Sequence, residues 1–248
     1  MIDFKSISLP NLPQNKVKHV VVSAEYSSLI TALKKYDIEP LFVSPCSDVI
    51  SQVRNHSDMF FSYLGNGLYM TEKSQTTLNS ALNSLGFTSK NNSVSLSQNY
   101  PDDVILNTCI INGKILGSAA VAYKWSGDYG EFIPVKQGYT KCSVCIVDEH
   151  SLITDDISIF DACKKLDIDA LLVRKGSVKL NGFDYGFIGG CCGKISHDTL
   201  AFFGDIRSHC DYDKISSFLV YRSVDALSLC SDSLIDVGSI IPITEYCD

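Results

Sequence analysis

Apolar runs alternate along this chain with short turns rich in Gly, Asn, Asp or His. One phrase recurs five times: an apolar strand, a tight turn, a second apolar strand. The copies occupy 59–64 with 67–70, 104–111 with 114–116, 142–147 with 151–153, 187–195 with 200–203, and 234–241. They begin at about 58, 104, 142, 187 and 234, a period of roughly 40 to 46 residues that marks repeat or propeller-like architectures. After each phrase the pattern turns helical and returns to an apolar strand. In the second unit Ser74 reads as an N-cap, Leu78, Ala81, Leu82 and Leu85 recur at helical spacing, and Gly86 is the stop. Ile157, Phe160, Ala162, Cys163 and Leu166 repeat this before a strand at 170–173. Asp211 or Asp213 starts a helix carrying Ile215, Phe218 and Leu219, followed by a strand at 226–229. The third unit is irregular, because 117–130 carries several glycines and Trp125 where a helix would stand, ahead of a strand at 132–135.

The first unit lacks its opening strand: 20–22 leads directly into a helix at 26–36 and a strand at 41–43. The missing strand stands at the other end of the chain, in 234–241. Pairing the two ends closes five β-β-α-β units into a ring and removes free sheet edges. The expected fold is therefore α/β, a five-bladed propeller of pseudo-fivefold symmetry in one domain, 17–248, with 1–16 as a loose arm. Its units are 234–248 with 17–50, then 51–100, 101–137, 138–183 and 184–233. An ordinary α/β sandwich with evenly spaced hairpins is the simpler alternative.

With 248 residues, 45% apolar and 20% charged, the chain is long enough to bury a core without staples. A net charge of −7 without any basic stripe argues against a nucleic-acid partner and suits a small cationic ligand. Residues 1–13 lack the basic start and apolar core of a secretory signal, and no stretch of about 18 apolar residues could span a membrane. A cytoplasmic location and reduced thiols are expected. Most of the ten cysteines, such as Cys109, Cys163 and Cys230, sit in apolar runs as small hydrophobes. Cys142 with Cys145, and Cys191 with Cys192, are the close pairs. Adjacent cysteines in a strand point to opposite faces, a poor basis for a tetrahedral zinc site, so neither metal nor cofactor is expected. In the glycine-rich run 189–193 backbone could approach a ligand closely, which makes Cys191 an alternative nucleophile.

Five β-β-α-β units about a pseudo-fivefold axis resemble the pentein fold, that of the guanidine-modifying enzymes. Lys136-Gln137-Gly138-Tyr139-Thr140-Lys141-Cys142-Ser143 and Tyr185-Gly186-Phe187-Ile188-Gly189-Gly190 are also similar to stretches of an uncharacterised bacterial family with this fold. Gly138 followed by Cys142 resembles the start of the enzymes' nucleophile strand, which implies Cys142 as nucleophile. Asn55-His56-Ser57-Asp58 resembles the stretch that holds their base, two units earlier. His56 would then be general acid and base, with Asp58 orienting it; Asp184 and Asp236, in the remaining units, would hold the substrate.

The chemistry suits these residue types. A resonance-stabilised guanidinium needs a thiolate to attack it, paired carboxylates to fix its plane and an imidazole to move protons. The resemblance thus implies a cysteine-dependent hydrolase, deiminase- or dimethylaminohydrolase-like, or an amidinotransferase, working through a covalent thiouronium. The deiminases' Glu-Gly-Gly signature is absent, and no Arg is placed to grip an amino-acid carboxylate. Two other readings stand: a non-catalytic binding module, similar to the ribosome anti-association factor of this fold, and a thiol redox or zinc protein using Cys142, Cys145, Cys191 and Cys192. Self-association is compatible with all three.

Overall fold

The computed structural model describes residues 4–125 and 129–247. Its elements follow the repeating phrase. The first unit holds β1 (Phe4–Ser6), β2 (Val17–Ser23), α1 (Ser27–Lys35) and β3 (Glu39–Val43). The second has α2 (Ser57–Phe60), β4 (Phe61–Gly65), β5 (Leu68–Glu72), α3 (Thr76–Ser84) and β6 (Thr88–Val94). Next come β7 (Cys109–Ile111), β8 (Lys114–Ser118) and β9 (Glu131–Val135), then β10 (Val144–Asp148), β11 (Ser151–Thr154), α4 (Ile157–Cys163) and β12 (Asp169–Leu172). The chain ends with β13 (Cys192–Lys194), β14 (Thr199–Phe202), α5 (Tyr212–Tyr221), β15 (Asp225–Ser228) and β16 (Ile241–Tyr246).

These strands form five separate sheets, in the orders β1-β16-β2-β3, β4-β5-β6, β7-β8-β9, β10-β11-β12 and β13-β14-β15. In each of the last four an antiparallel hairpin is followed by a strand that returns parallel to the second. A parallel return needs a crossover, which is why a helix intervenes. Two hairpins turn on Asn-Gly, with positive φ at Asn66, Gly67, Asn112 and Gly113, the geometry that matches strand twist. Asp156 caps α4 by accepting from the N–H groups of Ser158 and Ile159. Ser74 is not the cap of α3: that position is Gln75, and the Ser74 hydroxyl turns to Glu72. In the third unit a 3-10 turn, Ala119–Lys124, replaces the helix; residues 126–128 of that irregular stretch lie outside the described residues.

The C-terminal strand does pair with the N-terminal one, Ile241 opposite Val21 and Pro242 opposite Val20. It is displaced, however: the strand is Ile241–Tyr246, not 234–241. Residues 4–6, read as part of a loose arm, add an edge strand to β16. Among the described residues no sheet closes on itself.

What joins the units is a circuit of turns. The front half of each recurring apolar run is a turn rather than strand, and these turns bond to one another around a closed path. The Asn107 amide donates to Asp58 O (3.2 Å), Thr140 N to Asn107 O (3.2 Å), Gly190 N to Cys142 O (2.8 Å), Val237 N to Gly190 O (3.0 Å) and Asp58 N to Gly238 O (3.1 Å). Each turn is buried, so every one of its backbone groups needs such a partner. Behind them lie Phe60, Phe61 and Trp125; the Trp125 indole N–H donates to Ile105 O (2.8 Å) and pins the third turn. The buried cysteines Cys46, Cys109, Cys142, Cys145, Cys163, Cys191 and Cys192 form no disulfide. Among the described residues no helix is long and apolar enough to cross a membrane.

Candidate active site

The circuit of turns gathers side chains from distant parts of the chain at one end of the molecule. There a cleft of about 310 Å³ opens, with His56, Cys142 and Asp236 in its lining and Asp184 beside them. Asp58, buried beneath, touches the nucleophile candidate: the Cys142 thiol donates to Asp58 Oδ2 at 3.1 Å. Cys142 lies in a helical turn ahead of β10, in which Ser143 N donates to Tyr139 O and Val144 N to Lys141 O. Its sulfur also accepts from the Asn107 amide at 3.0 Å.

Asp236 is held by two backbone donors, Phe187 N to Oδ2 (3.0 Å) and Gly238 N to Oδ1 (3.1 Å). Glycines make this approach available. A Cβ at Gly190 would stand 2.0 Å from Asp236 Oδ1, and one at Gly238, where φ is +78°, would stand 2.4 Å from the His56 Cα. The Asp236 carboxylate faces His56, with Oδ1 3.6 Å from Nδ1, outside hydrogen-bond length. Among the described residues neither ring nitrogen of His56 has a hydrogen-bond partner, nor does Asp58 Oδ1. Buried polar atoms without partners are rare in folded proteins, and both nitrogens of His56 are such atoms in the lining of this cleft.

The charges explain the resting state. Burial, then the negative fields of Asp58 and Asp236, push the Cys142 thiol well up, so in the empty cleft it keeps its proton. Burial likewise raises Asp58, with Asp236 adding to the effect and His56 opposing it. Asp236 is carried to about 6 by burial, against the two backbone N–H groups and the charge of Lys141. Burial lowers His56, outweighing Asp58 and Glu25, so its imidazole is neutral at pH 7. The site thus holds two carboxyls, a thiol and a neutral imidazole, and among the described residues the sulfur's hydrogen-bond partners are Asn107 and Asp58, neither of them a cation.

Of the residues singled out in the sequence, Cys142, His56, Asp58 and Asp236 come together. Asp184 is exposed at the cleft mouth. Cys191 is buried away from the lining, its thiol donating to Ile188 O (3.1 Å), with burial pushing its pKa well up. Among the described residues the group with metal-ligating closeness is not the four cysteines but His209, Cys210 and Asp211. There His209 Nδ1 accepts from Asp211 N, and the Asp211 carboxylate is occupied by Arg174 and Lys214. Lys141 reaches the Ser239 hydroxyl (3.2 Å), which lies 2.6 Å from Asp58 Oδ2.

Asn107 and Ser239 escaped the sequence reading. A polar Asn inside the apolar run 104–111 was the available signal, since a buried amide must find partners. Asn107 Oδ1 indeed accepts from Lys141 N (2.8 Å) and Cys142 N (3.3 Å).

No curated protein matches the chain by sequence. Solved structures do match in shape. C. jejuni agmatine deiminase superposes with a TM-score of 0.57 at 11% identity, over 100% of this chain and 98% of that one. An amidinotransferase of the saxitoxin biosynthetic pathway from Microseira wollei gives 0.59 at 8%, over 94% and 97%. DDAH from Pseudomonas aeruginosa, complexed with citrulline, gives 0.55 at 8%, over 94% and 100%. These likenesses establish an α/β pentein fold, the fold of those deiminases, amidinotransferases and dimethylaminohydrolases. Residues 21–241 match the profile of a family of unknown function (DUF6873), and the chain belongs to that family.

Proposed function

We propose that the protein is a cysteine-dependent enzyme acting on a guanidine or amidine compound, with Cys142 as nucleophile and His56 as general acid and base. The observation that carries this reading is the convergence of Cys142, His56 and Asp236 on one cleft, with Asp58 against the thiol and both His56 nitrogens unpartnered. The five sheets act as the blades of a pseudo-fivefold propeller, and the circuit of turns is its hub. A cytoplasmic location fits the reduced thiols the chemistry needs.

The two buried carboxylates exchange the roles expected of them. Asp236, facing Nδ1, steadies the imidazole; Asp58, touching Sγ, meets the guanidinium where the sulfur attacks. A guanidinium entering the cleft supplies the missing positive charge, which lowers the thiol and both carboxyls together. The thiol proton passes by way of Asp58 to His56, which becomes the imidazolium, and the thiolate forms a C–S bond with the guanidinium carbon. One C–N bond breaks as His56 delivers a proton to the departing amine, leaving an S-linked thiouronium. Water attacking that carbon, deprotonated by neutral His56, releases the urea and restores the thiolate; an acceptor amine attacking instead yields a new guanidine.

The test is exposure to 2-chloroacetamidine followed by peptide mass mapping. The expected result is a single stable adduct on Cys142, formed with loss of chloride, absent in Cys142→Ser and slowed in His56→Ala. Labelling spread over the exposed cysteines, with Cys142 unmodified, would overturn the proposal.

A further inference from the structure

The cleft above Cys142 is an acidic floor beneath an apolar mouth. Tyr139, Phe187 and Tyr185 form a continuous aromatic wall: Tyr139 stacks on Phe187 with centroids 6.3 Å apart and planes at 23°, and Tyr185 meets Phe187 edge-on at 6.2 Å. The Tyr139 hydroxyl donates to Asp103 Oδ2 (2.6 Å), which turns its polar end out of the cleft and leaves the ring as wall. Leu180 and Phe183 add to the apolar surface, and Phe183, 48% exposed, leaves a large ring open to water at the rim.

Among the described residues no Lys or Arg lines this cleft; beside the neutral imidazole of His56 its acidic members are Asp184 and Asp236. Lys175 stands outside the lining, its ammonium 5.7 Å from the Tyr185 ring centre and 4.0 Å from Asp156 Oδ2. A free arginine seated with its guanidinium at Cys142 would bring its carboxylate toward Asp184, with neither Lys nor Arg among the described lining residues to receive it. An alkylamine tail would find only Asp184, exposed to water, where an ion pair contributes little.

Resting on the guanidine reading above, we propose that the substrate class is an N-substituted guanidine or amidine whose substituent is apolar, an aromatic ring or a short branched alkyl group, and carries no carboxylate. The volume of about 310 Å³ is at the low end for ligand pockets and holds a guanidinium plus one such group. The cation meets the carboxylates while the substituent lies along the Tyr139–Phe187 wall and under Phe183. Ring-against-ring contact in offset or edge geometry favours an aromatic substituent.

Protection of Cys142 against 2-chloroacetamidine by phenethylguanidine, agmatine and arginine tests this. Phenethylguanidine is expected to halve the labelling rate at a concentration at least tenfold below that needed with agmatine, and arginine to protect least. Phe183→Ala should shrink that advantage severalfold and Phe183→Leu should retain most of it, with thermal midpoints measured to confirm that both fold. Equal protection by phenethylguanidine and agmatine, stronger protection by arginine, or no protection by any of them while Cys142 still labels would overturn the substrate class and leave the chemistry at Cys142 standing. Failure of the amidine to label Cys142 at all would overturn both.

Discussion

Replacing Asp155 with Asn should stabilise the protein, and more so at pH 8 than at pH 5.5. Asp155 is 6% exposed; its Oδ2 accepts from Ile188 N at 3.2 Å, and its Oδ1 has no partner among the described residues. Burial carries this carboxyl from 3.8 to about 7, outweighing the Ile188 N–H and the charge of Lys175. A raised carboxyl means that the folded state holds a proton the unfolded chain has released, so its contribution to stability declines as pH rises from 3.8 to about 7. At about 1.4 kcal/mol per pH unit, the penalty is about 2 kcal/mol at pH 5.5 and about 4 kcal/mol at pH 8. Asn reproduces the protonated acid: its oxygen can accept from Ile188 N and its NH₂ takes the place of the unpartnered oxygen. Asp155→Asn should therefore gain about 2 kcal/mol more at pH 8 than at pH 5.5, an extra rise of about 4–8 °C in thermal midpoint for a chain of this size. His19, His56 and His209, lowered by burial, cost stability as pH falls below 6.5, but equally in both proteins, so they cancel in the comparison. Melting curves of the two proteins at the two pH values measure the difference. An Asn variant no more stable than the parent, or a gain that is the same at both pH values, would refute the reasoning.

Four further outcomes are expected. Gly190→Ala puts a Cβ 2.0 Å from Asp236 Oδ1, displaces that carboxylate from its backbone donors, and should abolish amidine labelling of Cys142 while costing about 1–3 kcal/mol in a urea titration. Because burial carries Asp236 to about 6, guanidine binding to Cys142→Ser, followed by calorimetry, should be level above pH 7 and weaken about tenfold per pH unit below 6; a flat profile from pH 5 to 8 would show that ionisation of Asp236, beside the imidazole, is not coupled to the bound cation. Asn107→Ala removes the side-chain acceptor shared by Lys141 N and Cys142 N, leaving Lys141 N only its long bond to the residue 107 carbonyl (3.4 Å), at a cost of about 1–3 kcal/mol; a midpoint within 2 °C of the parent would contradict the buried amide's role. Neutral iodoacetamide should modify the exposed Cys210 well before Cys142, whereas 2-chloroacetamidine should reverse the order; Cys142 reacting first with both would show that a cation is not needed to activate it.

The parts of the fold legible in the sequence are those decided locally. Asn66-Gly67 and Asn112-Gly113 announce hairpins because few other pairs accept two positive φ values, and α3 and α5 follow the helical spacing of Leu78 with Leu82 and Ile215 with Leu219; α4 forms as its spacing predicts, but Ile157 is exposed and the residues it buries are Ile159 and Cys163. Each recurring apolar run reads as strand from its first residue, yet 57–60 is the short helix α2, 104–106 and 141–143 are turns, 189–191 is a 3-10 turn and 236–238 is irregular backbone. An apolar run that is buried all round has no alternation to separate strand from turn, so periodicity could not mark the boundary. Cys142, His56 and Asp236 were reached through resemblance. Which carboxylate faces the imidazole and which the thiol depends on how the ends of the chain meet, with Ser239 bonded to Asp58 across 181 positions, and no local pattern encodes that.

The circuit of turns also accounts for the chemistry of the site. Four of the five turns each send one polar side chain inward, so Asp58, Asn107, Cys142 and Asp236 are brought together by the same bonds that join the units. Burying two carboxyls beside a thiol works against ionisation of all three, and Lys141, the ammonium that approaches them, acts from behind through Ser239. That arrangement keeps the thiol protonated and unreactive while the cleft is empty. A planar cation at the mouth of the circuit changes the balance for every group at once, since each is more stable ionised beside it. Reactivity at Cys142 would then be conditional on the ligand's charge, so the burial that makes the empty site electrostatically unfavourable also selects what the thiolate can attack.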